Sequence, residues 1–197
     1  MLHEKHKRNP DHDIDLQFID RWSPRAFSGK PVPEEVLFQL FEAARWAPSC
    51  YNEQPWRFLY ARTEEDLAAF RELLLDSNRE WAEKAPVLMF LVTKKHFTRN
   101  NKKNRYATFD AGAAWVSLAL QARKLGLFTH AMAGIHRERV YDYFGIDPEL
   151  FTVICAIAAG YYGNPEALPP KHRKNERPNS RKPIESSVFE GKSHTDS

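Results

Sequence analysis

The sequence predicts a mixed α and β fold in which helices cover a sheet. Three observations predict it. Val87 to Val92 and Phe151 to Ala159 are continuously apolar over strand length, as strands covered on both faces would be. Apolar residues recur at helical spacing through Val36, Leu37, Leu40, Phe41 and Ala44, and again through Ala111, Ala114, Trp115, Leu118, Ala122 and Leu125. Helical and strand segments also alternate along the chain, around at least four strand candidates.

The elements follow in order. Residues 1–12 are charged and read as a disordered tail; His3, His6 and His12 could bind a metal, but a solvated tail is the commoner outcome. Ile14 and Phe18, four apart with Asp13 and Asp15 early, begin a short helix, and Pro24 breaks it and turns Ser23 toward an extended conformation. Pro31 and Pro33 introduce the second helix, which Pro48 ends. Pro48 to Pro55 is a loop, and Trp56 to Ala61 alternates as a half-buried strand. Thr63 caps a helix with Leu67, Phe70 and Leu74 on one face, and the strand from Val87 follows. Residues 94–106 are a basic polar loop, and the long helix then runs from about Phe109 to Leu125 with Gly126 at its end. Small residues from Asp110 to Ala114 let another helix approach, in a tight core or a dimer interface. Phe128 to Ala133 is a short strand, Arg137 to Phe144 a helix stopped by Gly145, and the strand from Phe151 closes the series. From Gly160 the chain is basic and Pro-rich with few core positions, which suits disorder or wrapping around a partner.

Whole-chain properties narrow the functional classes. The length of 197 residues suits one domain, expected over 13–190 with 191–197 as a second tail. A net charge of +3 is too weak to imply a polyanion partner. Cys50 and Cys155 lie far apart and in no CxxC pattern, which argues against a thiolate metal site or a disulfide scaffold and favours a reducing cytoplasm. The first residues lack the apolar core of a secretory signal, and no apolar run approaches the roughly 20 residues of a membrane span, so no membrane partner is expected. GxGxxG, P-loop, GxSxG and HExxH motifs are missing.

Three segments carry candidate chemistry. Arg21-Trp22-Ser23-Pro24-Arg25 would place two guanidiniums and a hydroxyl on one side of an extended backbone, a suitable phosphate clamp, although a solvated basic turn is the commoner reading of that spacing. Pro48-Ser49-Cys50-Tyr51-Asn52-Glu53-Gln54-Pro55 could present donors and acceptors to a planar heterocycle; plain turn chemistry is the weaker alternative, because a linker needs neither this polarity nor two flanking prolines. Asn179-Ser180-Arg181-Lys182 is a third cationic group that could complete an anion site, or simply a basic tail.

Taken in order, Arg21-x-Ser23-x-Arg25, Ala47-Pro48-Ser49-x-x-Asn52-x-Gln54-Pro55-Trp56, Asp110-x-Gly112-Ala113, Gly126-Leu127, Ala133-Gly134 and Ser180-Arg181-x-Pro183 resemble the nitroreductase family, over about residues 14–188. The resemblance implies an α+β fold with a central, mainly antiparallel mixed sheet covered by helices. It implies an intertwined homodimer with two FMN at the interface, the tail over 160–190 embracing the partner. By position, Arg21, Trp22, Ser23, Arg25 and Arg181 would hold the phosphate and pyrimidine ends of FMN. Pro48, Ser49, Cys50, Asn52 and Gln54 would approach the flavin from the other subunit, with Asn78, Ala133 and Gly134 near the ring. Two positions depart from the family: Cys50 stands where Ser is common and Asn179 where Lys often assists the phosphate. The basic insert Lys94 to Arg105 is no family motif and could cover the substrate.

The implied activity is an FMN-dependent, ping-pong oxidoreductase moving hydride from NAD(P)H to a small acceptor such as a nitroaromatic or quinone, with no catalytic protein residue. Tyr51, Tyr106, Phe109 and Phe128 are candidates for shaping the acceptor pocket. A reductive dehalogenase or flavin-fragmenting enzyme is a same-fold alternative; a flavin-storing or nucleic-acid-binding protein is the alternative of another class. Aromatics are sparse among the basic runs and no known nucleic-acid motif is present, and so no nucleic-acid partner is expected.

Overall fold

The apolar run that begins at Val87 becomes one of two inner strands of a four-stranded sheet. The structure, a computed structural model, describes residues 8–191; His3, His6 and 192–197 lie outside them. Helices α1 (Leu16–Asp20), α2 (Glu34–Arg45), α3 (Glu64–Arg71), α4 (Asp76–Ala82), α5 (Ala107–Lys124), α6 (Arg137–Phe144) and α7 (Pro170–Arg173) alternate with strands β1 (Trp56–Ala61), β2 (Val87–Lys94), β3 (Leu127–Met132) and β4 (Phe151–Tyr161). The strand order is β1-β2-β4-β3 and every neighbouring pair is antiparallel.

β2 is apolar without a break because both faces of the sheet are covered. Val87, Met89 and Leu91 cluster with Leu37 and Leu40 of α2 and Leu118 of α5. Leu88, Phe90 and Val92 point the other way, into a cluster with Phe70 of α3, Trp81 of α4 and Val140 of α6. Fully burying side chains of this size contributes roughly 1.5–3 kcal/mol each, so the layered arrangement is the main source of stability.

Local signals set the boundaries. Asp15 accepts from the Gln17 amide to start α1, and Thr63 accepts from the Asp66 amide to start α3. Gly145 ends α6 at φ 59°, in the left-handed region. Two features differ from expectation. α3 stops at Arg71, and Leu74 leaves the helix to bridge Ile135 while remaining buried. α4 has no counterpart in the sequence reading, because this seven-residue helix buries only Trp81 and Ala82 and makes no periodic stripe.

Residues 94–106 are more ordered than a plain loop. His96 bridges Lys103, the Phe97 amide donates to the Lys102 carbonyl, and Asn101 takes φ 55° to close the turn. Within the expected disordered start, Arg8 is held in place: its guanidinium donates to the carbonyls of Ile19 and Arg21 at 2.9 Å each. Among the described residues no helix is long and apolar enough to cross a membrane.

Candidate functional site: an arginine-walled cavity at the edge of the sheet

α1 ends in extended backbone at Arg21, and the chain then runs alongside the outer strand β3. Trp22 packs edge-on against Phe128 and Tyr162, at 5.9 and 5.5 Å between ring centroids. The Pro24 carbonyl accepts from His130 Nδ1 at 2.9 Å. Phe27 then pairs with Tyr162, and the Gly163 amide donates to the Ala26 carbonyl. A Cβ on Gly163 would lie 2.6 Å from the Phe27 backbone, so this close pairing requires glycine.

The tail returns to the same segment of the same chain. The Glu176 carboxylate accepts from the amides of Arg25 (2.9 and 3.0 Å) and Ala26 (2.8 Å). That latch fixes the backbone of Arg25 and brings Arg177 and Arg181 to the opening. The result is a cavity of about 230 Å³ walled by Arg8, Arg21, Arg25, Arg177 and Arg181, with Trp22, Ser23, His130, Asn175 and Asn179 completing it. No Asp or Glu is among these residues.

Five guanidiniums around one small cavity repel one another. Burial, followed by the charge of Arg181, draws the Arg21 guanidinium below its usual value; burial, Arg181 and Arg21 do the same to Arg8. Both remain cations near neutrality, because arginine starts so high. Among the described residues the buried Nε of Arg8 has no hydrogen-bond partner. His130 adds no further charge: burial holds it down to about 4, the Arg25 cation opposes its protonation, and its ring lies 4.5 Å from that of Trp81. Since Nδ1 faces a carbonyl it carries the proton, and Nε2 is left as an acceptor. Such a wall is built for an anion of more than one charge that also offers hydroxyls.

The other predicted residues form two further groups. In the loop before β1, Tyr51, Asn52 and Gln54 have φ of 53°, 55° and 50°. A left-handed backbone at non-glycine residues costs about 1–3 kcal/mol each and marks a loop held for a purpose. Ser49 Oγ accepts from the Gln54 amide at 3.0 Å, the Cys50 amide donates to the buried Asp110 carboxylate at 3.2 Å, and the Gln54 side-chain amide donates to the Asn52 carbonyl and Oδ1. Pro48 leads into this loop from α2 and is exposed. The third group follows β3. Asn78 Nδ2 donates to the Gly134 carbonyl at 2.9 Å, and a Cβ on Gly134 would come within 2.5 Å of that nitrogen; Ala133 beside it is exposed.

The loop 48–55 and the arginine cavity do not meet within one chain, whereas the third group lies on the cavity's side of the sheet, where Trp81 of the helix that carries Asn78 packs against His130. The loop 48–55 feeds β1 and the arginine cavity flanks β3, and these are the two outer strands of the sheet. Of the aromatic candidates, Tyr51, Tyr106 and Phe109 are exposed on the loop side, whereas Phe128 is buried under Trp22. Sequence reasoning missed Arg8, His130, Asn175 and Arg177 in the wall. Only the density of basic residues near both termini hinted at them.

The chain is similar to known proteins in sequence and fold. The family model described as Nitroreductase family matches residues 19–80 and 74–161. A crystal structure of an oxidoreductase containing FMN is 40% identical, with a TM-score of 0.91 and coverage of 97% of this chain and 98% of that one. The NADH dehydrogenase of Thermus thermophilus is 27% identical over 76% of this chain and 86% of its own length. The CLA biosynthesis enone reductase of Lactiplantibacillus plantarum is 23% identical over 81% and 90%.

Proposed function

This chain belongs to the nitroreductase family, and from that premise we propose that it is an FMN-dependent oxidoreductase taking electrons from NAD(P)H and passing them to a small organic acceptor such as a nitroaromatic or quinone. One observation carries the reading: among the described residues, five arginines and no carboxylate line a cavity of about 230 Å³. A phosphate dianion turns that repulsion into attraction, and arginine forks match phosphate oxygens with paired, charge-assisted bonds. Arg21, Arg25, Arg181 and Arg8 would hold the phosphate, with Ser23 donating. His130 Nε2 would accept from a hydroxyl of the sugar-like chain.

Bound FMN supplies a ring that accepts hydride and hands it on, so the protein needs no nucleophile of its own. What the chain contributes is position and exclusion of water. The loop 48–55, strained and fixed to Asp110, is a rigid carrier of amides and carbonyls for a flat heterocycle. Because it and the arginine cavity occupy opposite sheet edges, we assign the loop to the flavin held by a second copy of the chain, which makes the unit a homodimer. Phe109 and Val116, 79% and 43% exposed on α5 with Gly112 between them, offer an apolar face for that copy. Since Glu176 latches onto Arg25 and Ala26 of the same chain, we assign the embrace of the partner within 160–190 chiefly to the exposed segment from 182 onward, where Ile184, Val188 and Phe189 would supply apolar contacts. Donor and acceptor use one position in turn, which gives ping-pong kinetics.

The test is the flavin itself. The purified protein is expected to be yellow, to release FMN on denaturation and to bleach on addition of NAD(P)H under nitrogen. Arg21→Ala with Arg25→Ala is expected to weaken FMN by about a hundredfold or more, two charge-assisted contacts being lost. A double variant that keeps its full complement of FMN refutes the phosphate assignment.

A further inference from the structure

The basic segment 94–105 has no role in holding FMN, yet the fold organises it closely. It contains six Lys or Arg and no Asp or Glu. Its base is fixed by the Lys95 amide on the Leu150 carbonyl and the Asn104 amide on the Lys95 carbonyl, with Asn104 buried. Its tip packs on the strained loop 48–55. Glu53 accepts from the amide and hydroxyl of Thr98, at 2.7 and 2.5 Å. The Arg99 guanidinium lies 3.9 Å over the Tyr51 ring, and Phe97 meets that ring edge-on at 5.8 Å.

Glu53 is thus occupied with Thr98. Arg99, Lys102, Lys103 and Arg105 are exposed, and among the described residues none of them forms a salt bridge. Charges of one sign held together by a built turn, beside an aromatic ring 71% exposed, are a receptor for an anion on an extended, partly aromatic molecule.

We propose that residues 94–105 receive the ribose phosphate of NADPH, so that this enzyme selects NADPH over NADH. The proposal rests on the functional reading above, in which loop 48–55 borders the flavin ring. A nicotinamide stacked at that ring leaves its adenosine end to run outward over the neighbouring surface, and the basic turn is that surface. NADPH differs from NADH by one phosphate at this end. A guanidinium lying flat on an aromatic ring keeps its N–H edge free for such a group. A carboxylate on the acceptor shares the chemistry, and it is the other source of a matching anion.

The experiment uses the FMN-loaded protein, in which the arginine cavity is filled. The wild type and the triple variant Arg99→Gln, Lys102→Gln, Lys103→Gln are titrated calorimetrically with 2′,5′-ADP and with 5′-AMP. The ratio of kcat/KM for NADPH to that for NADH is then measured with a neutral and with a carboxylated nitroaromatic. The wild type is expected to bind 2′,5′-ADP the more tightly, and the variant to lose about tenfold or more of both that affinity and the NADPH:NADH ratio. In the wild type, raising the salt should erode the ratio without any mutation, since these charges are exposed. An unchanged ratio together with a salt-insensitive preference overturns the proposal. So does a loss confined to the carboxylated acceptor, which reassigns the turn to that substrate. A protein that holds no FMN and oxidises neither donor removes the functional reading itself, a different and recognisable failure.

Discussion

Arg8 separates a ligand-binding wall from a merely structural one. In Arg8→Ala the two bonds to the Ile19 and Arg21 carbonyls are lost. In a partly exposed setting each is worth about 0.5–1.5 kcal/mol. The loss is offset because the same cation is repelled by Arg181 and Arg21, which with burial lower its affinity for its proton. The FMN-free protein should therefore lose no more than about 1 kcal/mol, or about 2–4 °C in Tm at this size. With phosphate present the balance reverses, since a charge-assisted contact worth about 1.5–3 kcal/mol disappears and the Kd rises about 10- to 150-fold. Titration of flavin-stripped protein with FMN, followed by flavin fluorescence, reads the affinity, and melting curves with and without FMN read the stability. An affinity within about twofold of wild type, alongside a clear drop in the Tm of the flavin-free protein, would refute the anion-site reasoning for Arg8 and leave it as a strap for α1.

Two further outcomes are expected. Gly163→Ala places a Cβ 2.6 Å from backbone atoms of Phe27, which cannot rotate away, and should cost about 2 kcal/mol or more by urea midpoint; Gly134→Ala, whose nearest atom is the end of the Asn78 side chain, should cost less, and the reverse order would contradict the packing described. His130, held at about 4, gives stability a pH dependence of known sign. The unfolded chain binds its proton near 6.5 and the folded one only near 4, so the contribution is complete above pH 6.5 and drains away as pH falls toward 4, by about 3 kcal/mol. His130→Phe keeps a ring beside Trp81 but cannot titrate; subtracting its urea profile from that of wild type should isolate this slope, and identical profiles would show that His130 is not held neutral.

Legibility followed the periodicity of burial. β2 and β4 were readable because helices cover both faces of the sheet, and α5 because Ala111, Ala114, Leu118 and Ala122 repeat on one face. α4 was not, since seven residues burying two apolar side chains leave no period to detect. The cavity divides in the same way. Arg21, Ser23 and Arg25 stand two apart in one extended stretch, so their convergence is local. Arg8, His130 and Arg177 arrive from elements that only the tertiary fold brings together: a segment before α1, the outer strand, and a tail drawn in by Glu176. His130 in particular lies in a strand where its neighbours are apolar or small, and nothing near it in sequence marks it as part of a polar wall.

The latch between Glu176 and the backbone at Arg25 has a consequence for biogenesis. Arg25 and Glu176, which join the two walls of the cavity, stand 151 positions apart in sequence, so one wall emerges from the ribosome well before the other. Nascent chains fold progressively from the N-terminus as they emerge, so the layered core can assemble while the anion grip is still half made. On the proposed assignment, flavin retention waits until the segment carrying Glu176, Arg177 and Arg181 has emerged, and a product terminated before Glu176 would have most of its core and half of the anion grip.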